Sequence, residues 1–130
     1  MLRTYSKSIT ATANTAIPFN TDKISIGTAV RHPSATSINV NRPGFYMVTL
    51  DVSFTSSTAG LSSIQLYADG VAIPDAIITE TIVADSYNNS SFTTIIQANH
   101  GNFAENVTLT VMPTTDITIS NIALGVNKIA

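Results

Sequence analysis

The stretch from Ser37 to Phe54 constrains this chain more than any other: two alternating runs, Ser-Ile-Asn-Val and Phe-Tyr-Met-Val-Thr-Leu-Asp-Val-Ser-Phe, separated by a corner at Asn41-Arg42-Pro43-Gly44. A strand sends successive side chains to opposite faces, so the second run places Tyr46, Val48, Leu50, Val52 and Phe54 together, the core-facing set. The opposite side begins with Phe45 and Met47 and continues with Thr49, Asp51 and Ser53. The strand is therefore apolar on both faces where it starts and on one face where it ends. A sandwich with one solvated face does not require that, so a second covering surface is expected over Phe45 and Met47.

The rest of the chain reads as more short strands. Residues 4–12 alternate loosely, with Tyr5, Lys7 and Ile9 against Ser6, Ser8 and Thr10, and residues 1–16 are expected to be an amino-terminal arm or a first edge strand, a candidate anchor ahead of a domain spanning 17–130. Pro18 in Ile-Pro-Phe implies an edge or a bend, Ile24 to Thr28 reads as a short strand around Gly27, and Arg31-His32-Pro33-Ser34 reads as a turn. Ser63 to Ala68 alternates into Asp69-Gly70, a dipeptide suited to a tight two-residue hairpin. Ala76 to Val83 reads as a strand or one helical turn, Tyr87 to Ser91 as a polar loop, and Asn99 to Asn102 as a turn. Strands are expected at Phe92–Ile96, Val107–Val111 and Ile117–Val126, the last with apolar residues on both parities. Eight to ten such strands without a competing helix make an all-β antiparallel sandwich or barrel.

Composition narrows the function. The chain has 130 residues, enough for one domain with a single core, and no cysteine, so packing alone must hold it. Charged residues make up only 11%, against roughly 25% in typical soluble domains, so Ser and Thr carry the surface polarity and some surface is expected to be hidden in an oligomer. Net charge is −2 with no basic cluster, which leaves no source for nucleic-acid binding. No apolar run approaches the roughly 20 residues of a membrane span, and the amino terminus lacks a signal-peptide core. The chain is thus expected to be used inside a cell until lysis, or to be excised from a longer one.

Pro43-Gly44-Phe45-Tyr46-Met47-Val48, preceded by Ile38-Asn39-Val40, resembles the Pro-Gly-x-Tyr signature of the C1q/tumour-necrosis-factor-like jelly roll, although Val48 stands where an aromatic is commonest. The Ile64 to Ile73 hairpin resembles the one that follows in phage and bacterial members, Ser90–Ile96, Val107–Val111 and Ile117–Val126 match the last three strands in order, and the resemblance covers about residues 20–130. The resemblance implies an antiparallel jelly-roll sandwich and a compact homotrimer with one sheet of each subunit around the threefold axis. It also implies that Phe45 and Met47 face that axis, joined by one of the two apolar faces of the last strand.

No chemistry competes with that reading. His32 and His100 lie in apparent turns, no nucleophile elbow or His-Glu-x-x-His occurs, and the chain is not expected to be an enzyme or to hold a cofactor or metal. Some family members bind calcium, but Asp69, Asp75, Glu80 and Asp85 do not follow a calcium-loop spacing. Asn88, Asn89 and Asn106 fit the glycosylation sequon but read as turn residues in the absence of a secretory signal. Tyr87, Asn88 and Asn89 form the candidate ligand-facing loop, with Tyr87 placed to stack on a cell-surface glycan. The expected role is a tailed-phage virion protein, a trimeric capsid decoration or head fibre made in host cytoplasm and bound to a capsid or fibre protein. The alternative is the receptor- or carbohydrate-binding head of a phage fibre or of a bacterial cell-surface or spore-coat protein.

Overall fold

The computed structural model describes residues 1–98 and 107–130 and contains ten strands and no helix among them. The turn expected at Asn99–Asn102, with His100, lies outside the described residues. Two five-stranded antiparallel sheets pack face to face. In sheet order, the first is β2 (Thr21–Ser25), β1 (Leu2–Ala11), β10 (Ile117–Lys128), β5 (Gly44–Thr55) and β8 (Asn88–Ala98). The second is β3 (Val30–Ser34), β4 (Ser37–Val40), β9 (Val107–Pro113), β6 (Gly60–Ala68) and β7 (Val71–Ile82). The jelly-roll fold expected from the sequence is thereby established.

The Pro-Gly corner carries the chain from one sheet to the other, which is why the two alternating runs flanking it both bury one face. Ile38 and Val40 enter the core from the second sheet, and Tyr46, Val48, Leu50, Val52 and Phe54 enter from the first. Gly44 adopts φ +146°, and a Cβ there would lie 2.5 Å from the Ala130 carbonyl oxygen, so the corner requires glycine. The carboxyl terminus closes over it through Phe45 N–H to Ala130 O and Ile129 N–H to Phe45 O. Asp69 (φ +51°) and Gly70 (φ +81°) form the tight hairpin between β6 and β7, both with the positive φ that such a turn needs.

Several elements differ from expectation. The first strand is neither a free arm nor an edge: β1 is paired on both sides, and Leu2, Thr4 and Ser6 are buried. The two hydroxyls, invisible to a hydrophobic pattern, hold the returning segment, Thr4 bonding the Thr21 carbonyl and Ser6 both the Pro18 carbonyl and the Asn20 N–H. Residues 12–20 bend as Pro18 implies and bury Ile17 and Phe19. Their N–H groups at Asn14 and Ile17 donate to the carbonyls of Pro113 and Val111, which four-residue β4 is too short to reach.

The Arg31 to Ser34 turn is instead edge strand β3, where Pro33 costs no ladder bond. His32 is consequently not a surface turn residue. Its side chain is only 7% exposed, with Nδ1 2.6 Å from the Asp22 carboxylate. The strand expected at Ile24–Thr28 starts earlier, at Thr21, and stops before Gly27, which turns with φ +80°. Residues 71–82 form one strand, β7, with a register shift where Pro74 interrupts it. Buried Gln65 repairs the interruption by donating its carboxamide to the carbonyls of Ile73, Ala76 and Leu66.

The largest difference concerns β10. Ile117, Ile119, Ile122, Leu124 and Val126 all face the core, because the register against β5 shifts between Ile119 and Asn121. Ser120 is an extra residue, so the core parity changes from odd to even without any change of face. The same inversion occurs opposite it in β1, where Ser8 takes φ +54° and the inward set passes from Leu2, Thr4 and Ser6 to Ala11. The expected second apolar face of the last strand therefore does not exist. Ala123, 8% exposed, is the only hydrophobic residue it turns outward between Ile117 and Val126.

Candidate oligomer interface

The outer face of the first sheet follows from cross-strand register. Beginning at the Pro-Gly corner, Phe45 stands opposite Gln97, and Met47 lies between Ile95 and Asn127. Next, Thr49 lies between Thr93 and Gly125, Asp51 between Ser91 and Ala123, and Ser53 between Asn89 and Asn121. The face is thus divided across its length. Near the corner Phe45 is 44% and Ile95 58% exposed beside half-buried Met47, while the far end carries only short polar side chains. The apolar end predicted from alternation on β5 is present, and Ile95 on β8 extends it. Ile95 was hidden in sequence because Ile95 and Ile96 are adjacent, one outward and one inward.

The middle of the face is flat for a packing reason. Gly125 lies under the Arg3 side chain, and a Cβ there would come within 2.9 Å of Thr49 Oγ1 and 3.3 Å of Arg3 Nη1. Arg3 reaches across it to the Asp51 carboxylate at 3.5 Å. A hollow of about 160 Å³ remains between Met1, Met47 and Gly125. Toward the β1–β2 edge, a wider open groove of about 450 Å³ is lined by Arg3, Tyr5, Lys7, Asp22 and Lys23. At the polar end Ser53 Oγ donates to Asn89 Oδ1.

Tyr46 anchors the apolar end from inside. Its ring is fully buried and its hydroxyl donates to the Arg42 carbonyl at 2.8 Å, pinning the corner that aims Phe45 and Met47 outward. Burial pushes the phenol pKa up, an effect the nearby Arg42 charge partly offsets.

The candidate ligand loop is not assembled as expected. Asn88 and Asn89 belong to β8, opposite Phe54 and Ser53, because strand pairing with long β5 continues through their polar side chains. Tyr87 alone remains in the connection, 73% exposed. Among the described residues no group of acids and histidines is arranged to hold a metal ion, and no helix is long and apolar enough to cross a membrane.

Two five-stranded sheets in this order, all antiparallel, define a C1q/TNF-like jelly roll. The chain resembles the globular domain of zebrafish complement 1qA protein with a TM-score of 0.77 at 10% identity, covering 99% of this chain and 96% of that one. It resembles the Eiger TNF from S. frugiperda at 0.72 and 12% identity, with 99% and 92% covered. A third likeness is to the PRD1 vertex protein P5, at 0.60 and 15% identity, with 99% and 96% covered. No curated protein matches the chain in sequence. The pattern of the BclA C-terminal domain family, however, matches residues 2–129, and the chain belongs to that family.

Proposed function

We infer that the protein is a homotrimeric head domain displayed on a biological surface, a structural and binding module without enzymatic activity. The observation that carries this is the divided outer face of the first sheet, where Phe45, Met47 and Ile95 gather at one end of an otherwise polar surface. A threefold axis through that end gives the apolar side chains a common seam. Charge of only 11% fits a chain that hides part of its surface against copies of itself. Mass in solution by light scattering tests it: three times 13.7 kDa supports the reading, and a monomer at all concentrations overturns it.

Membership in the BclA C-terminal domain family favours display on a bacterial cell or spore surface. The virion reading keeps one supporting observation, the likeness to the PRD1 vertex protein P5. Immunogold labelling of intact cells, spores and induced phage particles separates the two. On either surface, exposed Tyr87 is an aromatic side chain open to stacking on a sugar, and loss of glycan-array signal in Tyr87→Ala is the corresponding readout.

A further inference from the structure

Charge in this chain is segregated along the sequence, and the topology converts that segregation into two opposed edges. Residues 1–42 carry five of the six lysines and arginines and one of the eight acids; residues 43–127 carry the other seven acids and neither lysine nor arginine. The first segment builds β1 to β4, which lie at one edge of both sheets, where the His32–Asp22 contact joins β3 to β2. The second supplies β7 and β8 at the opposite edge, joined by Thr94 Oγ1 to Asp75 at 3.0 Å and Ser90 Oγ to Glu80.

The charges at the two edges are also left available. Lys7 and Lys23 are exposed beside the 450 Å³ groove and have no ion-pair partner among the described residues. Arg3 shares that groove, and Asp22 within it is turned to His32. On the other edge, Asp75 and Glu80 are held by hydroxyls of β8, which orient the carboxylates without neutralising them. Asp69 and Asp116, by contrast, are engaged by the N–H groups of Thr108 and Ala13.

We propose that the subunits meet head to tail, the acidic β7–β8 edge of one copy seating against the basic β1–β2 groove of the next, with Asp75 and Glu80 facing Lys7 and Lys23. The occupant of the groove is a second copy of this chain. Two different patches in contact make a heterologous interface, which closes only as a ring, whereas a twofold pairing of like edges would oppose like charges. This rests on the trimeric reading above and adds to it which edges meet and what sets their polarity.

Charge reversal at each edge tests it, in Lys7→Glu/Lys23→Glu, in Asp75→Lys/Glu80→Lys, and in the fourfold variant that exchanges both edges. Exposed pairs contribute factors of roughly 1.4 to 5 each, so each double reversal is expected to raise the trimer midpoint concentration about tenfold at low salt. The fourfold variant is expected to recover trimers by itself and to exclude the parent from them when mass-tagged subunits are mixed. Should a double variant fail to fold by circular dichroism, the parent decides through its own salt dependence. Its trimer is expected to weaken between about 50 mM and about 500 mM salt, where screening shortens from roughly 14 Å to roughly 4 Å. A parent trimer indifferent to salt, or a fourfold variant that mixes freely with the parent, overturns the edge assignment and leaves the trimer standing. A monomeric parent overturns both.

Discussion

Replacing Phe45 by Asp separates assembly from folding. Phe45 is 44% exposed in the isolated subunit, and with about 200 Å² for a phenylalanine side chain, roughly 90 Å² remains for a partner to cover. At about 25 cal/mol per Å² that surface is worth about 2 kcal/mol per subunit and about 6–7 kcal/mol for a trimer. Each 1.4 kcal/mol is a factor of ten in an equilibrium constant, and the midpoint of a monomer–trimer equilibrium follows its square root. The midpoint therefore rises by about two orders of magnitude. The subunit itself is expected to lose no more than about 1 kcal/mol, since Phe45 points away from the core and its backbone pairing is retained. Light scattering across a dilution series, with urea denaturation below the midpoint, measures the two effects separately. An unchanged midpoint in Phe45→Asp refutes the assignment of the apolar end as the seam, and a large loss of subunit stability with unchanged assembly refutes the orientation of β5.

Tyr46→Phe deletes the donor to the Arg42 carbonyl and is expected to cost about 1–2 kcal/mol in urea denaturation. Because burial raises the Tyr46 pKa in the folded state, the stability the phenol contributes is complete below the unfolded value of about 10 and declines as pH rises through the folded one. The difference between parent and Tyr46→Phe should therefore shrink in alkali. Gln65→Glu keeps the shape of a side chain that donates to three carbonyls but removes its amide donors, with an expected loss of about 2–4 kcal/mol at pH 7. That loss should be smaller near pH 4, where a protonated carboxyl can donate once, and equal losses at both pH values would contradict the role assigned to the amide.

Much of the sandwich was legible because the core-facing residues of β5 and β9 recur at every second position, and because Asp69-Gly70 and Pro43-Gly44 name their own turns. The misreadings have physical causes. Buried Thr4 and Ser6 carry no hydrophobic signal, so β1 looked peripheral although both its edges are paired. Asn88 and Asn89 looked like a loop because strand membership there is dictated by the partner β5 and not by their own propensity. Of the outer face, the apolar pair Phe45 and Met47 was readable from the alternation of β5, and their place in a trimer seam belongs to the proposal. The opposition of charged edges was not readable, since it depends on which strands the topology places side by side. The two-faced patterns of β5 and β10 look alike in sequence yet arise differently, one from residues meant for the outer face and the other from an added serine.

The paired bulge at Ser8 and Ser120 accounts for that second pattern, and its two halves should be energetically coupled. Lys7 pairs with Asn121 and Ile9 with Ile119, so β1 and β10 stay in register across one extra residue apiece. Deleting Ser120 alone keeps Ile117 and Ile119 inward and restores regular alternation against β5, but leaves Ser8 unmatched and removes the Ser120 Oγ bond to the Ser53 carbonyl at 3.0 Å. Deleting both serines restores register on both sides of β10 and relieves the φ of +54° at Ser8, a conformation costing about 1 kcal/mol or more for a residue other than glycine. The double deletion is therefore expected to be more stable than either single one, with a favourable coupling of about 1–2 kcal/mol in a double-mutant cycle by urea denaturation. Additive losses would mean that the two bulges are independent, and the shared inversion of core parity in β1 and β10 would then need another cause.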